Sequence, residues 1–283
     1  MRAFFFSNIW VAAAAAALTL QTTYCLDDAH PVSASLFVLV FCATLFIYNL
    51  DRLVSASRED AVELTDRHRF IQRHRRLLWG LAAAASLGVA ASLFFVSPAV
   101  WWGLLPLGVV SLAYSLPILK GDQARRLKDL PGVKIFVIAL VWGSVTVLLP
   151  ALEAGIGRRL ALWGPVFAER FVFIFAITLP FDVRDLERDR SARISTLPMW
   201  LGPTRTRWLS VALIALFIAL VVIAYGPTWR GPTPALALSG LISAVALWFG
   251  DRRRGELYYV GLLDGLMVLQ ASLVVAHLEW VVG

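Results

Sequence analysis

Charge is what this sequence has least of. Only 16% of its 283 residues are Asp, Glu, Lys or Arg, and 59% are hydrophobic. A soluble domain carries roughly 25% charged and 45–50% apolar residues, so a water-soluble fold is excluded. Cysteine is nearly absent. Cys25 and Cys42 both lie in or beside apolar runs, which rules out a disulfide framework and a zinc cluster. Histidine is scarce too, and His30, His68, His74 and His277 show no metal-ligand spacing. The net charge of +7 would suggest nucleic acid in a soluble protein. In a chain this apolar, an excess of Lys and Arg reports membrane topology, and no nucleic-acid partner is expected.

What is present is a series of long uncharged runs. Residues 3–26, 31–50, 77–119, 135–152, 208–229 and 231–250 contain no Asp, Glu, Lys or Arg. A single crossing of the bilayer needs about 20 apolar residues. Run 77–119 is twice that length and is broken at Ser97-Pro98, so it reads as two helices joined by a hairpin. Segment 257–278 is apolar apart from Asp264 and His277, and 160–181 is interrupted by Glu169-Arg170. The expectation is an all-α, polytopic membrane protein of about nine helices, one domain spanning 1–283.

The basic residues test that model. With the N-terminus in the cytoplasm, 22 of the 26 Lys and Arg fall on the inner side; only Arg158, Arg159, Arg170 and Arg230 fall outside. Such asymmetry over short loops supports both the helix count and the orientation, in a plasma or inner membrane. The first run has a second reading as a signal peptide: Arg2, an apolar core, then small residues. Its length exceeds what a signal core needs, and no A-x-A site precedes Cys25.

The few charges concentrate in inner loops 51–76, 120–134 and 182–207. The densest place is 182–190, which follows an uncharged run from Phe171 to Pro180. Asp182, Asp185 and Asp189 sit at i, i+3 and i+7, within about 60° of one helix face at about 100° per residue. Like charges so placed repel unless a cation holds them. A hard divalent ion with a diphosphate completing its shell is one guest; a solvated run neutralised by Arg184, Arg188 and Arg190 is the other reading. Glu59, Glu63 and Asp66 also share a face, and the mixed signs around them favour a solvated amphipathic helix. Lys120, Arg125, Arg126, Lys128 and Lys134 either set topology, bind anionic headgroups or reach a phosphate. Asp264, about two turns into the last apolar run, is costly in a membrane and reads as functional or as a buried structural group. Gln270 reads as an interhelical hydrogen-bond partner.

These landmarks occur in a characteristic order. An apolar helix ends in Asn49, a later one in Ala113-Tyr114-Ser115-Leu116-Pro117. Pro131-Gly132-Val133-Lys134 opens another, and Asp182-x-x-Asp185-x-x-x-Asp189 is followed by Thr196-Leu197-Pro198 and Leu201-Gly202. Over essentially the whole chain this resembles the UbiA superfamily of membrane-embedded prenyltransferases. The resemblance implies a helical bundle around a central cavity, capped by inner loops. It implies Mg²⁺-dependent transfer of a prenyl group from its diphosphate to a lipophilic acceptor, such as an aromatic ring or quinone precursor. By the same resemblance Asp182, Asp185 and Asp189 are metal–diphosphate ligands, and Asn49 and Asp51 are the remnant of a partner site. Lys134, Lys120, Arg184 and Arg193 are then candidate diphosphate partners.

The chain departs from the family at its first motif, Asn-Asp-x-x-Asp-x-x-x-Asp. Leu50, Leu53 and Ser57 stand where aspartates belong, and Asp51 is displaced by one position. On a continuous helix Asp51 points about 200° away from Asn49. The alternative function is therefore a repurposed member: a lipid- or quinone-binding protein, or a transporter. A transporter usually shows paired half-repeats, and none is visible. A CDP-alcohol phosphotransferase is discounted, because Asp264-Gly265 lacks the rest of that signature.

Overall fold

In the computed structural model, residues 2–26, 33–56, 66–118, 126–191, 194–250 and 254–282 are described, and among them there is no strand. The N-terminus forms α1 (Arg2–Phe6) and α2 (Ile9–Leu26). They are separated at Asn8, whose φ of +65° is a left-handed value that asparagine tolerates better than most residues. There follow α3 (Ala34–Ala56), α4 (Asp66–Arg73), α5 (Arg75–Leu93) and α6 (Pro98–Ser115). The expected break at Ser97-Pro98 is a tight hairpin, where the Ser97 amide donates to Glu153 Oε2 at 2.8 Å.

The fifth crossing is composite: α7 (Val133–Gly143), a π-helical stretch at Ser144–Leu148, and α8 (Leu149–Glu153). Pro150 has no N–H to return to the carbonyl of Thr146 one turn earlier, and the widened turn absorbs that missing bond. Next come α9 (Leu160–Arg184), α10 (Leu186–Ser191), α11 (Leu197–Tyr225) and α12 (Thr233–Trp248). A second π-helical stretch, Tyr258–Leu263, leads into α13 (Asp264–Val282). α11 is bent at Gly202, whose φ of 77° and ψ of 160° are essentially reserved for glycine.

Among the described residues eight helical segments are long and apolar enough to cross a membrane, and the 16-residue α12 is a shorter apolar helix beside them. The interior is packed around α9, where Phe173 meets Phe217 of α11 with ring centroids 5.1 Å apart. Outward-facing side chains are also large and apolar, for instance Leu87, Trp102 and Ile223, each more than 70% exposed. Apolar groups on both the inside and the outside of a bundle define a protein solvated by lipid. Tryptophans cluster at its two ends, Trp79, Trp200 and Trp208 at one and Trp102, Trp229 and Trp280 at the other. That is the distribution of interfacial belts.

Glu169-Arg170 does not interrupt α9. Both side chains are fully buried, and Arg170 is held by α2 and the first π stretch. Its Nη1 donates to Leu18 O and Thr146 Oγ1, each at 3.3 Å, while Nη2 lies 3.8 Å from Glu169 Oε1. A charge with an internal partner can sit inside an apolar span.

Candidate functional site

The end of the bundle where α3, α6 and α9 finish and α7 and α13 start gathers the charged residues. The centre is Lys134, second residue of α7. Gly132 turns the chain into that helix with φ +71°, a left-handed conformation, and its amide donates to Ser195 O at 3.0 Å. The turn is thereby tied to the start of α11, where Thr196 occupies the N-cap position and Pro198 the first turn. Lys134 Nζ lies 2.7 Å from Asp182 Oδ1 and 3.7 Å from Asp189 Oδ2. Asp182 is 1% exposed and Asp189 8%. Apart from the Lys134 ammonium, neither of the two facing oxygens has a hydrogen-bond partner among the described residues.

The three aspartates do not share one partner. α9 and α10 run on through Asp185, whose amide donates to Phe181 O and whose carbonyl accepts from the Asp189 amide. Asp182 and Asp189 thus stay on one face, one turn apart on either side of it. Asp185 is turned to Arg184, which grips it with Nε at 2.8 Å and Nη2 at 3.1 Å. Burial works against ionising Asp185, but the Arg184 guanidinium outweighs it and holds the carboxyl below its ordinary range. Burial pushes the Asp189 carboxyl up, against the pull of Lys134. Arg184 also approaches Glu256 at 3.5 Å and lies over the rings of Phe181 and Tyr259, at 5.2 and 4.8 Å. It is a structural partner of Asp185 as much as a free cation.

Across the site, Asn49 and Asp51 part company. α3 is unbroken through both, so they point to different sides. Asn49 is fully buried and its amide is committed. Oδ1 accepts from Asn8 Nδ2 at 3.0 Å, while Nδ2 donates to Ser7 O and Leu45 O at 3.2 and 2.9 Å. Asn49, expected with Asp51 at the remnant of a partner site, clamps the break between α1 and α2. Asp51 is ion-paired with Lys128, which also reaches Ser55 at 3.3 Å. Leu53, at a family aspartate position, is buried against Ile71 and Leu78. Lys120, Arg193, Ser57, Glu59 and Glu63 lie outside the described residues.

Sequence reasoning missed Lys128 as an individual, and with it Arg126, Asp129 and the aromatic wall. Arg126 binds Asp129 in a buttress (Nη2 to Oδ1, 3.1 Å) and donates to Ser55 Oγ at 3.0 Å, fixing the loop onto α3. Lys128 Nζ lies 5.5 Å over the Tyr114 ring. Tyr114 thus lies beside the Lys128–Asp51 pair. Separately, Trp142 Nε1 donates to Tyr48 Oη at 3.1 Å, the rings edge to face, joining α7 to α3. Nothing in the periodicity of apolar helices distinguishes these aromatics from packing residues. The motif Tyr114-Ser115-Leu116-Pro117 was the one available signal.

Among the described residues no group of three or more Asp, Glu, His or Cys converges as a metal cage. What converges is a pair: two buried hard-oxygen donors sharing one ammonium. That donor set fits one divalent ion near Asp182 and Asp189. Among the described residues the opposite rim does not fit a second, because Asp51 is taken by Lys128 and Leu50 and Leu53 stand at the neighbouring positions.

An all-helical membrane bundle with a carboxylate–lysine site at one mouth defines the class. The chain belongs to the UbiA prenyltransferase family, whose model matches residues 7–257. Solved structures share the fold over nearly the full length of both chains. A UbiA homologue from Archaeoglobus fulgidus bound to GPP and Mg²⁺ is 15% identical with a TM-score of 0.65, covering 98% of this chain and 99% of its own. The apo structure of a UbiA homologue from Aeropyrum pernix K1 is 18% identical with a TM-score of 0.60, covering 99% and 98%. A digeranylgeranylglyceryl phosphate synthase structure is 13% identical with a TM-score of 0.58, covering 99% and 100%. No curated protein matches the chain.

Proposed function

We propose that this protein transfers a prenyl group from a prenyl diphosphate to a lipophilic acceptor, an aromatic ring or quinone precursor, within the membrane and with magnesium. The observation that carries the reading is the convergence of buried Asp182 and Asp189 on Lys134 at the start of a helix. Similar proteins support it, since homologues are described as bound to GPP and Mg²⁺ and to DMAPP and Mg²⁺. Asp182 and Asp189 would hold the ion, whose role when bound is to neutralise charge on the leaving diphosphate. Lys134 donates to diphosphate oxygens, helped by the positive end of α7. Lys128 lends a second fixed cation from the Asp51 rim, where the metal ligands are lacking. Lys120 and Arg193 are further cationic candidates in the adjoining loops. Tyr114, Tyr48 and Trp142 keep water away from the allylic cation and present ring faces to it, worth about 0.5–2 kcal/mol per contact.

The whole chain, 1–283, is taken as one unit, with its site at the cytoplasmic face because 22 of 26 basic residues lie on that side. The test is diphosphate release from a set of prenyl diphosphates by protein in lipid, with Asp182→Asn alongside. Magnesium-dependent release by wild type and none by the variant is the expected result. The second reading, a lipid- or quinone-binding protein or transporter on this fold, is favoured by the leucines on the Asp51 rim. Magnesium-dependent binding without release would select it.

A further inference from the structure

α12 is short for the bilayer it crosses. Its 16 residues, Thr233–Trp248, rise about 24 Å, against a hydrocarbon core of about 30 Å. A short span is accommodated by local thinning of the bilayer or by flanking polar side chains that reach the interface. The C-terminal end of α12 shows such side chains. It lies at the same end of the bundle as Lys134, because Gly250 packs against α9: a Cβ there would meet Pro180 Cβ at 3.7 Å, two residues before Asp182.

Two guanidiniums from different segments converge on that helix end. Arg207 of α11 donates from Nη2 to Gly250 O at 3.2 Å, and Arg254 donates from Nε to the adjacent carbonyl, Phe249 O, at 3.3 Å. Arg254 also lies 5.5 Å over the ring of Tyr258, whose hydroxyl donates to Ala246 O of α12. Capping the last carbonyls of α12 is the structural part of this arrangement. It does not account for the charge. A helix C-terminus carries about half a negative charge, whereas two guanidiniums bring two positive ones. Among the described residues neither arginine is ion-paired, and Glu256, the acid nearest to Arg254 in the sequence, goes to Arg184 at 3.5 Å. Arg207 Nε is buried with no hydrogen-bond partner. The protein leaves an excess of about one and a half positive charges here, which one phosphodiester would largely neutralise.

Aromatic side chains fix the depth of this corner. Trp208, next to Arg207, and Trp248, the last residue of α12, meet edge to face with ring centroids 4.8 Å apart, and both are exposed. Exposed tryptophans of a membrane bundle sit at headgroup level. The excess charge therefore stands where lipid phosphates stand. We propose that this corner of α11 and α12 binds an anionic phospholipid. Arg207 and Arg254 hold its phosphate, and the glycerol and upper acyl chains rest on the Trp208–Trp248 pair. Basic pockets between spans at this level suit anionic headgroups. A zwitterionic headgroup brings its own ammonium and cancels the attraction. The lipid site is independent of the prenyl-transfer reading.

The test is equilibrium binding of dioctanoyl phosphatidylglycerol to the full chain in a neutral detergent, read by native mass spectrometry. Dioctanoyl phosphatidylcholine, glycerol 3-phosphate and inorganic phosphate serve as competitors. Wild type should prefer phosphatidylglycerol to phosphatidylcholine by about tenfold or more, the effect of a cationic pair at headgroup level. The double variant Arg207→Gln, Arg254→Gln should bind phosphatidylglycerol about 30-fold more weakly. Arg254→Gln alone leaves the Arg207 cap in place and should weaken binding about fivefold. Arg230→Gln, at an exposed arginine beyond the far end of α11, should leave the affinity unchanged. Equal affinity for the two lipids, wild-type affinity in Arg254→Gln, or a parallel loss in Arg230→Gln would overturn the proposal. Displacement of the lipid by glycerol 3-phosphate or inorganic phosphate at the same concentration would overturn it as well, because the corner would then be a site for free anions.

Discussion

Replacing Lys134 by methionine should expose how the site is held together. In the wild type one ammonium serves two buried carboxylates, 2.7 Å from Asp182 and 3.7 Å from Asp189. Removing one partner of a buried pair costs about 3–5 kcal/mol, because the charges left behind are uncompensated. At roughly 2–4 °C per kcal/mol for a chain of this size, Lys134→Met should melt ~10 °C lower in detergent or nanodiscs. Two internal controls follow. Asp182→Asn in the same background removes the nearer stranded charge, and the double-mutant cycle should show a coupling of ~1–3 kcal/mol. Magnesium should stabilise Lys134→Met more than wild type, since the ammonium no longer competes for the same oxygens. Saturation at 100 times Kd is worth about 2.7 kcal/mol. Unchanged melting of Lys134→Met, or a loss with zero coupling to Asp182, would refute the claim that this lysine holds the aspartates.

Further outcomes can be checked separately. Lys128 is lowered to about 8 from 10.5, first by burial and then by nearby arginines, against the pull of Asp51. The unfolded chain therefore binds more protons than the folded one between these values, and stability should rise with pH across that window; Lys128→Met should flatten the rise in a melting series. Gly132→Ala places a side chain at φ +71° and 3.1 Å from the Trp200 ring; a loss of about 1–2 kcal/mol and weaker diphosphate binding are expected, since Lys134 follows two residues later. Arg170→Met alone should destabilise by ~3 kcal/mol, while the Glu169→Gln double variant should regain much of it, both read by thermal unfolding.

How much could be read beforehand differs sharply between bundle and site. The break at Ser97-Pro98 and the nine apolar segments follow from local composition, because lipid demands internally satisfied backbone over a fixed thickness. Lys134 was picked out for opening a helix, and it is the centre of the cluster. Asp182 and Asp189 stayed on one face as their spacing required. Asp185 did not join them, because its neighbour Arg184 captured it. The place of Asn49 was hidden for an equally local reason: its amide finds three backbone and side-chain partners at a helix break that no periodicity announces. Lys128 was indistinguishable from any basic loop residue until folding laid it against Asp51.

The sequence by itself determined the solvent of this protein, its helices and the face of its acidic motif, since each depends on residues within a few turns of one another. Only the tertiary structure decided which cation meets which carboxylate, that Asp51 is spoken for, and that Trp142 bonds to Tyr48 across α7 and α3. Those pairings join residues from α3, α6, α7 and α9, and distance between helices is not encoded in the periodicity of any one of them.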